Sequence, residues 1–451
     1  MTKHKGKKEY ASLRNDGRRI LAEGESTSNN TWETGRNNND LIIGPTGAGK
    51  TRYYVKPNLL SASESLIVTD TKGNLRKELT PALEDAGYEV LLLDLTNPKE
   101  SIGYNPFDYI PCDEATDKYD EKEIMAFSNI LYGEKGHCKD PYWDEAGRAL
   151  LTSIVSYVME KLPKEDHNIY SVRKLFALIH ANGKQGDKSP YYNLMKALRE
   201  TDPDSFAAEQ YDYVITESVE TTSNCIRMMT GNKLSLLRAK EIDELLRRED
   251  RIDILQLAQK KTALFVTISD MDRSQDMLAN LFYKQAMQTL CRYADGVCED
   301  SCLPVPVRFI LDDFATNACI PDFDNMISVI RSRGISVSII LQSLTQLEKM
   351  YGNAAATTIL NGCDTVLYLG GQDLSTAHYI GTRVNHSDFS VLTLPLSQAW
   401  LLQRGQKPRL VRRYELADHP RYSFLPEAGA ENAITAKTAR EGGDFYENEV
   451  C

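Results

Sequence analysis

From Asp40 onward, short runs that are apolar at nearly every position alternate with stretches of helical periodicity. The strand candidates are 41–43, 66–69, 90–93, 263–267, 308–311, 337–341, 365–369 and 400–402. Continuous apolar runs, rather than every second position, are what parallel strands covered on both faces require. Their alternation with helices predicts an α/β fold on a mostly parallel, doubly wound sheet. Between about Phe107 and Ile254 the strand signal stops. There Trp143, Ala146, Leu150, Ile154 and Val158 recur on one helix face, and Val172, Leu175, Phe176 and Ile179 mark another. The expectation is an all-α domain inserted into the α/β domain, with Trp143 as a core anchor.

The expected boundaries follow. Residues 1–39, opening with the basic MTKHKGKK, read as a flexible arm; 40–107 and 255–425 as the two parts of the α/β domain; 108–254 as the helical insert; 426–451 as a disordered acidic tail. A chain of 451 residues has ample material for a large core. Its 64 acidic against 53 basic residues, a net charge of −11, exclude a protein that coats DNA through global charge. Any nucleic-acid contact must be local. Lys56, Arg52 and the arginines near Arg331 are candidates for such phosphate contacts, while Arg238 with Lys240, and Arg247, Arg248 with Arg251, read as solvated helix faces. The nine cysteines have no C-x-x-C spacing and no signal peptide precedes them, which suits reduced thiols in a cytosolic protein. No stretch reaches 18 uninterrupted apolar residues, so the chain as given is not expected to span a membrane.

Chemistry enters at LIIGPTGAGKT, residues 41–51, where an apolar strand feeds a turn that fits G-x-x-x-x-G-K-[ST]. Gly44, Pro45, Thr46, Gly47, Ala48, Gly49, Lys50 and Thr51 form the expected phosphate cradle. Glycines without a Cβ let the backbone curl and aim N–H groups at phosphate oxygens. The helix that follows adds the positive end of its dipole. Lys50 is expected on the β/γ-phosphates of ATP and the Thr51 hydroxyl on Mg²⁺. A second constellation lies in RFILDDF, residues 308–314, a buried strand ending in two acids. Asp312 is expected to hold Mg²⁺ through water and Asp313 to polarise the attacking water. Further on, IRSRG puts Arg331 near the start of a strand that ends in Gln342. Arg331 could act across a subunit boundary and Gln342 could sense the γ-phosphate. A surface arginine pair and a strand-capping glutamine fit the residues equally well.

These segments, in this order, resemble the type IV secretion coupling proteins of the TraG/TraD type, the ATPases of conjugative DNA transfer. The resemblance runs through most of residues 40–425. IVTDTKGNL (67–75) is similar to that family's D-x-K-G-E-L segment, with Asn74 in place of Glu. GYNPFDYI (103–110) is similar to its Y-N-P motif, and DPYWDEAGRALL to the start of its all-α domain. The most specific match is FILDDFATNACIPDFDNMISVIRSRGISVSIILQSLTQLEKMYG (309–352), and WLLQRGQKPRL (400–410) resembles the closing strand and its turn.

The resemblance implies a RecA-like motor domain, ATP with Mg²⁺, and a homo-hexameric ring. It also implies DNA contact, single- or double-stranded, without sequence preference. As partners it implies the relaxase or relaxosome and a type IV secretion channel. It gives Lys50 and Thr51 to nucleotide and metal, Asp312 to the metal, Asp313 to the catalytic acid, Arg331 to the trans-acting arginine and Gln342 to the sensor. The implied location is the bacterial cytoplasm, recruited to the inner face of the membrane. Two departures stand out. The family's second acid is usually Glu, and Asp313 is one methylene shorter; a displacement of about 1 Å can cost on the order of a hundredfold in rate. The family's membrane-spanning helices have no counterpart in the sequence as given, so the expectation is a separate membrane subunit, a soluble-domain variant or a truncated version. The reading is an ATP-hydrolysing coupling protein; the alternatives are a nucleotide-gated adaptor with little turnover and a DNA-pumping motor unrelated to secretion.

Overall fold

Every apolar run singled out above is a strand in the computed structural model, which describes residues 17–113, 115–132, 142–180, 189–216, 220–235, 240–269, 271, 273–314 and 319–429. In chain order the strands are β1 (Arg18–Ala22), β2 (Glu25–Ser28), β3 (Asp40–Ile43), β4 (Ser65–Thr69), β5 (Glu89–Asp94), β6 (Cys112–Asp113) and β7 (Lys118–Tyr119). They continue with β8 (Thr262–Thr267), β9 (Val307–Leu311), β10 (Ile335–Leu341), β11 (Thr365–Tyr368), β12 (Gln398–Gln403) and β13 (Arg409–Arg412). Nine of them form one sheet in the order β13-β12-β11-β3-β10-β9-β4-β8-β5. Pairing is parallel from β11 through β3, β10, β9 and β4 to β8, whereas β12 and β13 run antiparallel at one edge. The fold is therefore the expected α/β architecture with a mostly parallel sheet.

The chain divides into two compact units, Met1–Leu92 with Asp253–Asp270 and Leu290–Cys451, and Leu93–Ile252 with Met271–Thr289. In the first, Ile42, Val68, Phe265, Ile310, Ile340 and Leu367 of the sheet pack with Tyr54, Val55 and Leu59. Strands buried at every position explain why their sequences lack alternation.

Residues 17–39 correct the expectation of a flexible arm. β1 and β2 form an antiparallel hairpin, and Thr31–Thr34 is a short helix capped by Asn30. Polar residues tie this segment down. Arg19 Nη1 donates to Asn29 Oδ1 and Asn38 Oδ1, each at 2.8 Å, and Asn29 Nδ2 donates to Glu64 Oε1 at 2.7 Å. Composition reads such residues as solvated, but their partners lie far away in sequence. Residues 1–16, with the basic opening run, lie outside the described residues.

The second unit is helical but not all-α, since β6 and β7 pair within it. It begins ahead of residue 108 and takes in 271–289 because the Y-N-P segment packs there: Tyr104 meets Phe282 edge-on at 5.4 Å and donates its hydroxyl to Gln285 Oε1 at 2.6 Å. Ala146, Leu150, Ile154 and Val158 are buried as their spacing predicts, on the helix Tyr142–Lys161. Trp143 is not a core anchor: it is only half-buried, edge-on to Tyr142. The tail expected from 426 also begins as structure. Residues 426–429 form a helical turn with Leu425 and Ala428 buried, and 430–451 lie outside the described residues. Arg238 and residues 315–318 of the long match likewise lie outside them.

Candidate functional site

β3 ends at Ile43 and the glycine-rich turn starts at once. Gly44 N–H donates to Leu341 O of β10 at 3.1 Å, and Ala48 N–H returns to Pro45 O at 3.1 Å. Gly47 and Gly49 have φ of +81° and +80°, a conformation that glycine adopts without penalty. At Gly49 even an added Cβ would sit 2.4 Å from the Tyr53 ring, so this position admits no side chain. Lys50 is buried, with Nζ donating to Gly44 O at 2.9 Å and Pro45 O at 3.3 Å. The next turn, Thr51–Val55, is a π-helical turn that runs into the α-helix Lys56–Ser61. Turns of this kind are frequent at functional sites. Here it starts at the residue whose hydroxyl faces the acids.

Those acids follow β9. Thr51 Oγ1 donates to Asp312 Oδ2 at 3.0 Å. Burial raises the Asp312 carboxyl to about 6, the charge of Asp313 adds to the rise, and the Thr51 hydrogen bond and Lys50 oppose it. With a hydroxyl beside it, the Asp312 carboxylate offers the hard oxygen donors that suit Mg²⁺. Asp313 has φ of +48°, in the left-handed region, where a non-glycine residue costs about 1–2 kcal/mol. Its N–H donates to Asp312 Oδ1 at 3.0 Å, and its Oδ1 lies 3.9 Å from Lys50 Nζ.

β10 lies between β3 and β9, with Leu341 opposite Ile43 and Ile339 opposite Leu311. Gln342 therefore emerges between the glycine-rich turn and the acid pair, and its Nε2 lies 3.5 Å from Asp313 Oδ1. Carboxyl ends of parallel strands in α/β sheets are where ligands bind. Arg331 is not brought to this cluster. It precedes β10, at the opposite end of that strand, and lines a cavity of about 550 Å³ with Trp32, Glu64, Asp300 and Ser336. Arg331 is exposed, whereas Arg333 pairs with Asp295 at 2.7 Å.

Other charges have local partners. Lys56, expected as a phosphate contact, is buried and paired with Glu78 at 2.6 Å and with Glu427. Burial alone would lower its pKa, but the two carboxylates outweigh that and raise it. Arg248 pairs with Asp250, Arg251 with Asp108, and Arg247 with Asp243, in line with a bland reading of that basic cluster. Asp70 of the D-x-K-G segment accepts from Arg76 N–H at 3.0 Å and so caps the helix Asn74–Asp85. One contact to the loop had no signal strong enough to find it: Arg413 Nη1 donates to Ala48 O at 2.9 Å, across 365 residues.

Known proteins resemble this chain in the same terms. The family model described as type IV secretory system conjugative DNA transfer matches residues 1–390. Protein VirD4 of Rhizobium radiobacter is 24% identical over 367 residues, covering 81% of this chain and 50% of that protein. Conjugal transfer protein TraG of Escherichia coli is 26% identical over 127 residues, 28% of this chain and 19% of TraG. The chain thus spans about half the length, or less, of these curated relatives. Among solved structures, the bacterial conjugative coupling protein TrwBΔN70 in its unbound monoclinic form matches with a TM-score of 0.64 at 14% identity over 91% of each chain. TrwB in complex with ADP and Mg²⁺ matches at 0.61 and 15% identity, over 84% of this chain and 85% of that one. At such identities the structures speak to the fold alone, an α/β domain on a mostly parallel sheet with a helical domain, as the sequence led us to expect. With a family model covering most of its length, the chain belongs to the type IV secretory system conjugative DNA transfer family.

Proposed function

We propose that this chain binds and hydrolyses ATP with Mg²⁺ as the motor part of a conjugative coupling protein. The observation that carries the reading is the convergence of Lys50, Thr51, Asp312, Asp313 and Gln342 at the carboxyl ends of β3, β10 and β9. Lys50 and the N–H groups of the turn would bind the β/γ-phosphates. Mg²⁺, held by Thr51 and through water by Asp312, would supply neutralisation of phosphate charge. Asp313 would orient the water for in-line attack, Gln342 would sense the γ-phosphate, and Arg331 would reach it from a neighbouring copy. TrwB has been seen in complex with ADP and Mg²⁺ and with a non-hydrolysable ATP analogue, which supports the same ligands here.

In this reading a homo-hexamer recruits the relaxase–DNA complex and hands it over, or moves single-stranded DNA, to the secretion channel. DNA contact is without sequence preference, through phosphates. The site of action is the inner face of the bacterial membrane, reached through the channel or a separate membrane subunit. None of the described helices is long and apolar enough to cross a membrane.

Steady-state ATP turnover, with and without single-stranded DNA and at several protein concentrations, tests this, with Lys50→Ala as control. Turnover that rises with DNA and steeply with concentration is the expected result; nucleotide binding without turnover in every condition overturns it. One observation favours a second reading, a nucleotide-gated adaptor: the second acid is Asp313, and its backbone is held in the left-handed region. A large gain in turnover for Asp313→Glu supports the adaptor, and brisk wild-type turnover sinks it. Membership of a conjugative transfer family argues against a motor unrelated to secretion.

A further inference from the structure

Arg413 follows β13, at the antiparallel edge of the sheet, yet its side chain is only 6% exposed. It is tied to three separate segments. Nε donates to Gln398 O at 3.1 Å, Nη2 to Leu369 O at 2.7 Å and Nη1 to Ala48 O at 2.9 Å. The first carbonyl opens β12, the second follows β11, and the third belongs to the glycine-rich turn. The guanidinium also lies over the Tyr53 ring, 5.4 Å from its centroid, and Tyr53 N–H donates to Gly49 O at 2.7 Å. Only a guanidinium presents donors in one plane to three such carbonyls; an ammonium is a point charge on a flexible stem.

Two physical consequences follow for the turn. A trans peptide is planar, with its C=O and N–H antiparallel. Holding the Ala48 carbonyl toward Arg413 therefore turns the Gly49 N–H to the other side of the loop. That matters at Gly49, at φ of +80°, because a residue without a Cβ does little by its own sterics to hold the preceding peptide in one orientation. The second consequence is electrostatic. Among the described residues Arg413 has no carboxylate within ion-pair distance, unlike Arg308, which pairs with Glu64 at 3.0 Å. Buried charges are ordinarily paired, so an unneutralised cation against the loop leaves the site short of negative charge. A hydrogen bond to the Ala48 carbonyl also polarises that peptide and strengthens its N–H as a donor. A phosphate group meets both demands.

We propose that Arg413 is a positioning residue of the phosphate cradle, locking the Ala48–Gly49 peptide with its N–H toward the nucleotide's phosphates. The inference rests on the nucleotide-binding reading above. It differs from a role as mere glue between β12, β13 and the sheet, which would cost stability without touching phosphate affinity.

The test titrates the full chain with ADP·Mg²⁺ and with pyrophosphate·Mg²⁺ by calorimetry, well below the melting midpoint of each variant. Wild type, Lys50→Ala, Arg413→Lys and Arg413→Met are compared. Losing a charge-assisted hydrogen bond to the loop should weaken both ligands about tenfold or more in the Arg413 variants, by similar factors. Equal affinity in wild type and Arg413→Lys overturns the proposal, even if the melting midpoint falls. Weakening of ADP with pyrophosphate spared also overturns it, because the effect would then lie on the nucleoside side. Wild type that binds neither ligand sinks the nucleotide reading itself, a distinct failure. Should both Arg413 variants fail to fold, the Gly49 amide resonance of glycine-labelled wild type decides: a downfield move on adding ADP·Mg²⁺ is expected, and indifference overturns the assignment.

Discussion

The two ends of the central strands in the first unit are both crowded with charge, but they handle it in opposite ways. Toward the amino ends, Arg308 meets Glu64 at 3.0 Å and donates to Ser338 Oγ and Asn38 O. Arg19 Nε lies 2.8 Å from Asp40, out of line for a hydrogen bond, and Asp40 also accepts from the Tyr54 hydroxyl at 2.6 Å. The two arginines and two carboxylates neutralise one another inside the protein. At the carboxyl ends two acids stand next to each other, with Lys50 Nζ 3.9 Å from Asp313 Oδ1. Asp312 is pushed toward its protonated form, Asp313 is held in a left-handed backbone, and Lys50 is folded onto carbonyls of its own loop. A structural cluster is held by close pairs of opposite charge, whereas neighbouring acids with a raised carboxyl are the mark of a candidate ligand site.

The sharpest way to break this contrast is Arg308→Ala. It strands Glu64 in the interior and should cost about 3–5 kcal/mol in urea unfolding, while the folded fraction keeps its nucleotide affinity. Lys50→Ala should do the reverse, lowering ATP turnover about 10²–10³-fold with little change in the unfolding midpoint. Asp312→Asn comes next, and its effect depends on pH. The folded Asp312 holds its proton up to about 6, above the unfolded carboxyl range, so ionising it costs stability above that pH. Without nucleotide or metal, Asp312→Asn should be more stable than wild type at pH 7.5 by about 1–2 kcal/mol. The gain should fade as pH falls through 6 toward 4; a gain that is constant with pH would remove the electrostatic account. The smallest change is Glu427→Gln. It weakens one arm of a partly exposed pair at Lys56, for less than about 1 kcal/mol in thermal unfolding, and leaves turnover intact.

Much of the α/β unit is legible in the sequence because its signals are local. Continuous apolar runs mark 41–43 and 337–341 as buried strands, and the glycine-lysine-threonine turn names its own chemistry. The proximity of Gln342 to the acids follows from strand ends that share one sheet edge. What stays hidden is set by partners distant in the chain. Nothing local in 17–39 announces that Arg19, Asn29 and Asn38 dock together, so a polar stretch passes for a solvated arm. Arg413 hides for the same reason, one basic residue among several whose carbonyl partners come from three segments. Lys56 errs in the other direction: its position beside the loop suggests phosphate, and only the fold brings Glu78 and Glu427 to it.

β10 carries a last consequence. Its seven residues are buried throughout, with Arg331 ahead of its start and Gln342 beyond its end. At about 3.3 Å per residue the strand sets the two side chains roughly 20 Å or more apart. If Arg331 serves the nucleotide site as proposed, this spacing acts as a ruler that keeps one copy's arginine from its own nucleotide, and the smallest complete catalyst would contain two copies. Lys50→Ala and Arg331→Ala, each inactive alone, would then recover part of the wild-type turnover when mixed, and recovery would be set by the statistics of neighbours in the assembly.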